Sequence, residues 1–475
     1  MAFGGVPERL EPLAEVLVPV QTERPHQRRH SIHFNRGAAA SQAYVRQFGN
    51  RPSNAVTGRR AWAWLSRGLG EALTGFIDRA APGDTLRTAV YEFHEPRVLD
   101  AFRRAHDRGV DVRIVMHAKR RAAKDPATGT VTYPPRDRNI AAVETAGIGD
   151  LVIRRETNPS YLARNKFIVH GRSGQPIGVW TGSTNMTGGG IYGHANVGHA
   201  VRDPDVAARF LDYWEQLALD PTGAALKAWN GGTAIPTGKP RTGTTTVFSP
   251  RATQETLVWY AALMDAARSS VFFTAAFGIS PQIEKVSKKD VACLRYGLLE
   301  TEDDRMELLK RDRDNVFTVS THLRDAIGGW AAEELTGLDG HVNYVHTKFM
   351  LTDPLSADPI VISGSANFSK NSSVANDENM LVIRGSTRVT DIYLTEFMRI
   401  FNHFEFRERI RSGQPRARRP VLAGSEGSAT STGRTRMDSG EATTQGFRHL
   451  DPKPGWALEH FVDGYPRMKE RELFR

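Results

Sequence analysis

A single cysteine, Cys293, excludes an internal disulfide and any cluster of thiolate metal ligands. It is expected as a small buried apolar side chain. No apolar run approaches the roughly 20 residues that a bilayer-crossing helix requires. The opening MAFGGVPERLEPLAEV also lacks the basic-then-apolar order of an export signal. A cytoplasmic protein is therefore expected. Acidic residues are in deficit, 53 Asp and Glu against 63 Lys and Arg, for a net charge of +10. Such a surface attracts phosphate-bearing partners and favours peripheral contact with an anionic membrane. With 475 residues, 40% of them hydrophobic, the chain can bury two or three domain-sized cores. Oligomeric state leaves no mark on the sequence.

Residues 1–58, rich in Arg, Pro, Gln and Ala, show no period and read as a partly irregular lead-in. From Arg59 onward helical and strand patterns alternate at α/β spacing: AWAWLSRGLGEALTGFIDRA, LRTAVYEF, PRVLDAFRRAHDRG, VDVRIVMH. A first domain is expected over 59–219, with residues 118–138 as a basic loop, either solvated surface or a substrate-facing lip. Residues 220–244, dense in Gly, Pro and Thr, read as a linker before a second domain over 245–406. Within that domain VACLRYGLLETEDDRMELLKRD is expected to be helical, as is LRDAIGGWAAEEL. Residues 407–445 turn to Arg, Gly, Ser and Thr and read as disordered, and the aromatics of 446–475 suggest a segment that docks back.

The stretch YVHTKFMLTDPLSADPIVISGSANFSKNSSVANDENMLVIR places His346, Lys348 and Asp353 at H-x-K-x-x-x-x-D spacing. On an extended strand alternate side chains share a face, so His346 and Lys348 lie side by side. An imidazole beside a fixed positive charge suits phosphoryl chemistry, in which charge on the non-bridging oxygens is held while histidine attacks phosphorus or passes a proton. Asp353, just past the strand, is placed to hold a neighbouring group.

Shifted by 182 positions, YLARNKFIVHGRSGQPIGVWTGSTNMTGGGIYGHANVGHAVRD lies on this stretch without a gap. Lys166 falls on Lys348, Ser183 on Ser365, Asn185 on Asn367 and Asn196 on Glu378. The Lys-to-Asn interval is 19 residues in both copies, which indicates an internal duplication. The shared interval favours both lysines, and both asparagines after Gly-Ser, as phosphate ligands. Glu378 and Asn196 are expected to orient a group in a cleft, Glu378 pairing with Arg164. Trp180 and Trp214 are expected in the core.

A duplicated H-x-K-x-x-x-x-D plus G-S-x-N pattern resembles the phospholipase D superfamily over about residues 60–406. The resemblance implies an α/β fold of two similar domains, mixed sheets flanked by helices, facing each other across one cleft. It implies no cofactor and no metal. It also implies a phosphohistidine intermediate, with one histidine attacking and its partner protonating the leaving oxygen. Carried over, His346, Lys348, Asp353, Asn367 and Glu378 match the second motif, and Lys166 and Asn185 the first. The chain departs at Arg164 and Gly171, where the first motif has histidine and aspartate. Arginine binds phosphate bidentately but does not shuttle protons near neutral pH, so the acid's place is vacant. His170, about 13 Å along the strand from Lys166, and His194 and His199 beyond the Gly188–Gly190 loop are substitutes to consider.

The expected activity is a metal-independent phosphodiesterase of phospholipase D type. His346 is the expected nucleophile, with Lys166, Lys348, Asn185, Asn367, Ser183, Ser365 and Arg164 around the phosphate. Phospholipid is the preferred substrate class, and nucleic acid the alternative. A non-catalytic polyanion-binding module, with Arg164 marking lost chemistry, is the reading from a different class.

Overall fold

A computed structural model describes residues 29–124, 131–158, 161–302, 304–310, 312, 314–324, 331–334, 343–413 and 466–473. Two seven-stranded mixed sheets carry the same topology. The first is built from β1 (His30–Phe34), β2 (Thr85–Val90), β3 (Asp111–His117), β4 (Val152–Arg155), β5 (Lys166–Arg172), β6 (Gln175–Gly182) and β7 (Val197–Val201). Its strand order is β1-β7-β6-β5-β2-β3-β4. The second runs β8 (Gly243–Ser249), β9 (Ser270–Ala275), β10 (Leu294–Leu299), β11 (Asn315–Val319), β12 (Phe349–Thr352), β13 (Ile360–Gly364) and β14 (Glu378–Arg384). Its order, β8-β14-β13-β12-β9-β10-β11, is that of the first sheet strand for strand. The duplication seen in the motifs therefore extends to the whole sheet.

Alternation within the strands makes the layers. In β5, Phe167 and Val169 point into a central core that also holds Phe210, Tyr213 and Trp214 of the helix Pro204–Ala218 and Phe397 and Phe401 of the helix Thr387–Gly413. Ile168, between them, points into the first half's outer core, where Trp180 is also buried. Met350 and Ile362 play the same part in the outer core of the second half. The two long helices thus lie between the sheets and are apolar on the sides they bury. The first is started by Asp203, whose carboxylate accepts from the N–H groups of Asp205 and Val206, with Pro204 preset for the first turn.

Several expectations are revised. His30–Phe34, within the lead-in, supplies the edge strand of the first sheet, pairing antiparallel with β7. The linker holds a helix, Gly223–Gly231. Leu294–Leu299, expected as helix, is a fully buried parallel strand between β9 and β11. A short run such as LRYGLL lacks the length that separates a buried strand from a buried helix. A Cβ at Gly297 would meet Phe273 and Phe317 at under 3 Å, so this position is fitted to the aromatic rings of its neighbours. The helix after Thr387 continues past Phe406 to Gly413. The expected helix at 323–335 lies largely outside the described residues, as does most of 407–445. Of the C-terminal segment, Pro466–Leu473 is helical; Leu473 packs on the central core and Lys469 pairs with Asp314.

The halves are locked by charge as well as by the core. Arg155, at the end of β4 and 1% exposed, reaches Asp377 of the second half at 3.0 Å and Asp220 at 2.5 Å. Arg155→Ala leaves Asp377 buried without its counterion, which costs about 3–5 kcal/mol. Urea unfolding should show that loss, and Arg155→Ala with Asp377→Asn should recover part of it. An unchanged midpoint in the single variant would contradict the lock.

Candidate active site between the two halves

Where the halves meet, the backbone is paired twice in the same way. Ala163 bridges Asp377, and Ala195 bridges Val345, both in parallel. Residues 163 and 345, like 195 and 377, are equivalent under the 182-residue shift. The hydrogen bonds repeat accordingly: Arg164 N–H donates to Asp377 O at 2.9 Å and His346 N–H to Ala195 O at 3.0 Å. This crossed pairing sets position 164 against Glu378 and His346 against Asn196.

The consequence for His346 is a fixed ring. Its Nδ1 lies 3.1 Å from the Ser183 carbonyl oxygen and 3.1 Å from Asn196 Oδ1, both in the first half. Two acceptors there hold the proton on Nδ1 and leave the Nε2 lone pair free to attack. Asn196 is itself held, its amide NH2 donating to Gly190 O and to His194 Nδ1 at 2.8 and 2.7 Å. The segment entering His346 is clamped from below by Glu300, whose carboxylate accepts from the N–H groups of Asn343, Tyr344 and Val345.

Cations crowd this imidazole. Burial, and then Lys348, His194, Lys166 and Arg164 in that order, push the His346 pKa far below its usual range, so the ring is neutral and nucleophilic at pH 7. Lys348 is buried and its ammonium donates to the His346 carbonyl; burial and Lys166 push its pKa down strongly. Lys166 donates to the Arg164 carbonyl at 2.6 Å, and burial lowers its pKa to about 7, with Glu378 and Glu92 opposing and Arg164 adding to the shift. Strand ends place both lysines: Lys166 opens β5, and Lys348 immediately precedes β12.

The asparagines sit at the same depth. Asn185 donates to Glu92, and Asn367 forms no side-chain hydrogen bond among the described residues. The Oδ1 atoms of both are buried and unpartnered. Ser183 and Ser365 serve the turns instead of facing the cleft: Ser183 Oγ donates to Asn196 Oδ1 and accepts from Val197 N–H, and Ser365 Oγ accepts from Asn379 N–H. Asp353 stands at the far end of β12, where its carboxylate accepts from the N–H groups of Arg268, Ser269 and Ser270. It braces the entry to β9 and does not reach the cleft, because the strand carries it away from Lys348.

Arg164 does not pair with Glu378. Its guanidinium lies over the Tyr91 ring at 5.3 Å and the Phe277 ring at 5.6 Å, while Glu378 accepts from Ser372 and Asn376 through Oε1 and leaves Oε2 unpartnered. Of the substitute histidines, His170 is bound to Asp84 at 2.8 Å and His199 lies between His30 and Tyr393, both away from the cleft. His194 alone reaches it, its ring 5.0 Å from that of His346; burial holds its pKa at about 3, so it stands neutral.

Four residues of this region had no motif to announce them. Tyr91 and Glu92 follow directly on β2, and His117 and Lys119 lie at and just past the end of β3. Lys119, expected on a solvated loop, is fully buried, and its Nζ and the His117 Nε2 have no hydrogen-bond partner. The signal that points to them is positional: they stand at the carboxyl ends of the two parallel strands beside β5.

The sequence profile described as cardiolipin synthase, PLD-like domain, matches residues 73–218 and 320–401. The chain belongs to the phospholipase D-like family. Among solved structures, phosphatidylserine synthase of Haemophilus influenzae Rd KW20 is similar at a TM-score of 0.48 and 10% identity, over 71% of this chain and 85% of that one. Yeast tyrosyl-DNA phosphodiesterase is similar at 0.36 and 12%, over 66% and 86%. The phospholipase D family member Nuc of Salmonella typhimurium is similar at 0.24 and 24%, over 31% and 84%. No curated protein matches the chain. No described helix is long and apolar enough to cross a membrane.

Members of the phospholipase D-like family act on phosphodiester bonds, and the cleft's cations give this one an anion-shaped deficit. An anion entering it raises the Lys166 pKa from about 7 toward its ordinary 10.5, so binding above pH 7 takes up a proton and weakens as pH rises. Tungstate titrated calorimetrically at pH 8 should show a binding enthalpy that differs between Tris and HEPES by the proton's ionisation heat. Equal enthalpies in the two buffers would contradict the deprotonated lysine.

Proposed function

We propose that the protein is a phosphodiesterase of phospholipase D type that works through a phosphohistidine on His346 and acts on phospholipid head-group diesters. The observation that carries this reading is the His346 ring, neutral, fixed through Nδ1 by acceptors from the other half, and flanked by two buried lysines. Lys166, Lys348 and the amides of Asn185 and Asn367 hold the non-bridging oxygens, whose charge grows in the transition state. His346 Nε2 attacks phosphorus; the P–N bond forms and the P–O bond to the head-group alcohol breaks. The leaving oxygen takes a proton from water or from the Lys166 ammonium. Positive charge on the phosphorylated ring is met by Asn196 Oδ1 and the Ser183 carbonyl. Water then attacks phosphorus, the P–N bond breaks, and the proton leaves to solvent. Glu300 supports the nucleophile from outside the cleft, and Asp353 steadies β9.

Phospholipid is preferred to nucleic acid because Lys348, Lys166 and Arg164 gather around the one ring of His346 and form no extended track. A nucleic-acid channel needs a track of positive charge and open stacking platforms, and the aromatic rings nearest the cleft, Tyr91 and Phe277, already cover Arg164.

His346→Ala should abolish hydrolysis of a bis-p-nitrophenyl phosphate reporter; unchanged turnover would remove His346 as the nucleophile. With arginine at the acid's position, turnover should fall steeply as the leaving group becomes more basic. Arg164→His should then raise the rate on alkyl diesters by about 10²-fold or more, general acid catalysis being worth roughly 10²–10⁴. No gain, with tungstate binding intact, would favour a polyanion-binding protein over an enzyme.

A further inference from the structure

We propose that Arg164 is a receptor for a negative charge on the leaving group, so that the preferred substrates are phospholipids whose head group carries an anion of its own, a carboxylate or a second phosphate. This rests on the phosphodiesterase reading above and names the substrate within it.

Position fixes the side on which Arg164 works. The crossed backbone pairing makes residue 164 the counterpart of His346 across the pseudo-two-fold axis. In an in-line displacement the nucleophile and the leaving group occupy opposite sides of phosphorus, so the group facing His346 across the phosphate lies next to the departing alcohol. Arg164 thus stands where the head group sits.

Its state there is unusual. The guanidinium makes no hydrogen bond and no ion pair among the described residues, although the cleft holds the carboxylates of Glu378 and Glu92. It lies over the ring of Tyr91 from the first half and close to the ring of Phe277 from the second. Cation–π contacts of this kind hold the guanidinium in place without using its N–H groups, which stay free to donate. A planar fork of free donors matches a carboxylate or phosphate bidentately. A cationic head group such as choline offers the fork no acceptor and meets a positive charge instead.

The clamp is also partly open to solvent. Arg164 is half-buried and Phe277 beside it is 44% exposed, so the guanidinium lies nearer solvent than the two buried lysines. One scissile phosphate below and one further anion at the mouth describe a head group such as serine or glycerophosphate. Two aromatic rings already lie against the guanidinium, which leaves it less open as a stacking platform for bases.

Phosphatidylserine and phosphatidylethanolamine differ only by a carboxylate on the leaving alcohol, and they isolate this interaction. Presented at equal mole fraction in Triton X-100 mixed micelles, phosphatidylserine should be hydrolysed with a kcat/KM about 10 to 100-fold higher, as expected for a charge-assisted bidentate contact. Arg164→Gln should collapse that ratio to near unity, and Phe277→Leu should lower it while leaving the fold intact by circular dichroism. Equal rates on the two lipids, or a ratio that survives Arg164→Gln, would overturn the proposal while the phosphodiesterase reading stands. If His346→Ala hydrolyses both lipids as the wild type does, the phosphodiesterase reading itself fails. Faster cleavage of a single-stranded oligonucleotide than of either lipid would overturn the proposal in favour of a nuclease.

Discussion

The crossed pair of backbone bridges between the halves is the constraint on which the site depends. Each bridge ties the residue just before a motif position in one half to the residue just before its orienting partner in the other. A shift of either half by one residue would turn His346 away from Asn196, because successive side chains of an extended segment point to opposite faces. The central core, shared by both sheets and both long helices, and the buried Arg155–Asp377 pair hold that register. Site geometry and domain packing are therefore one arrangement: neither half by itself orients the His346 imidazole.

The two copies have diverged in a complementary way. The half that keeps a histidine receives the neutral amide of Asn196, and the half that carries Arg164 faces the carboxylate of Glu378. Arg164 nonetheless turns to the aromatic pair, and Glu378 keeps one oxygen unpartnered. Lys166, Lys348 and Arg164 are thus held together with no ion pair to any of them among the described residues, and like charge joins burial in lowering the pKa values of both lysines against the opposing pull of Glu378.

Much of this was legible in the sequence because it is periodic or repeated. The 182-residue shift announced two halves of one topology, and the shared Lys-to-Asn interval marks Lys166, Lys348, Asn185 and Asn367 as candidate site residues. Alternation gave β2, β3 and β12 close to their true positions. Leu294–Leu299 escaped because a six-residue apolar run fits either element, and only its place between β9 and β11 decides it. Motif spacing drew Asp353 toward the chemistry, but a residue at the far end of a strand serves the turn it meets there. Ser183 and Ser365 were drawn in by their neighbours, and their hydroxyls close the turns that present the asparagines. Tyr91, Phe277, Lys119 and the contact of His194 with His346 were hidden, since each depends on chain segments remote in sequence that only folding brings together.

The central claim is that His346 Nε2 becomes covalently bonded to phosphorus. Rapid quenching of the protein into alkali during turnover of a diester, followed by peptide mass spectrometry, tests it directly, since a phosphohistidine survives base. The account predicts a phosphoryl adduct on the peptide containing His346, absent from His346→Ala. Turnover with no adduct on that peptide, or with an adduct on another residue, would contradict it.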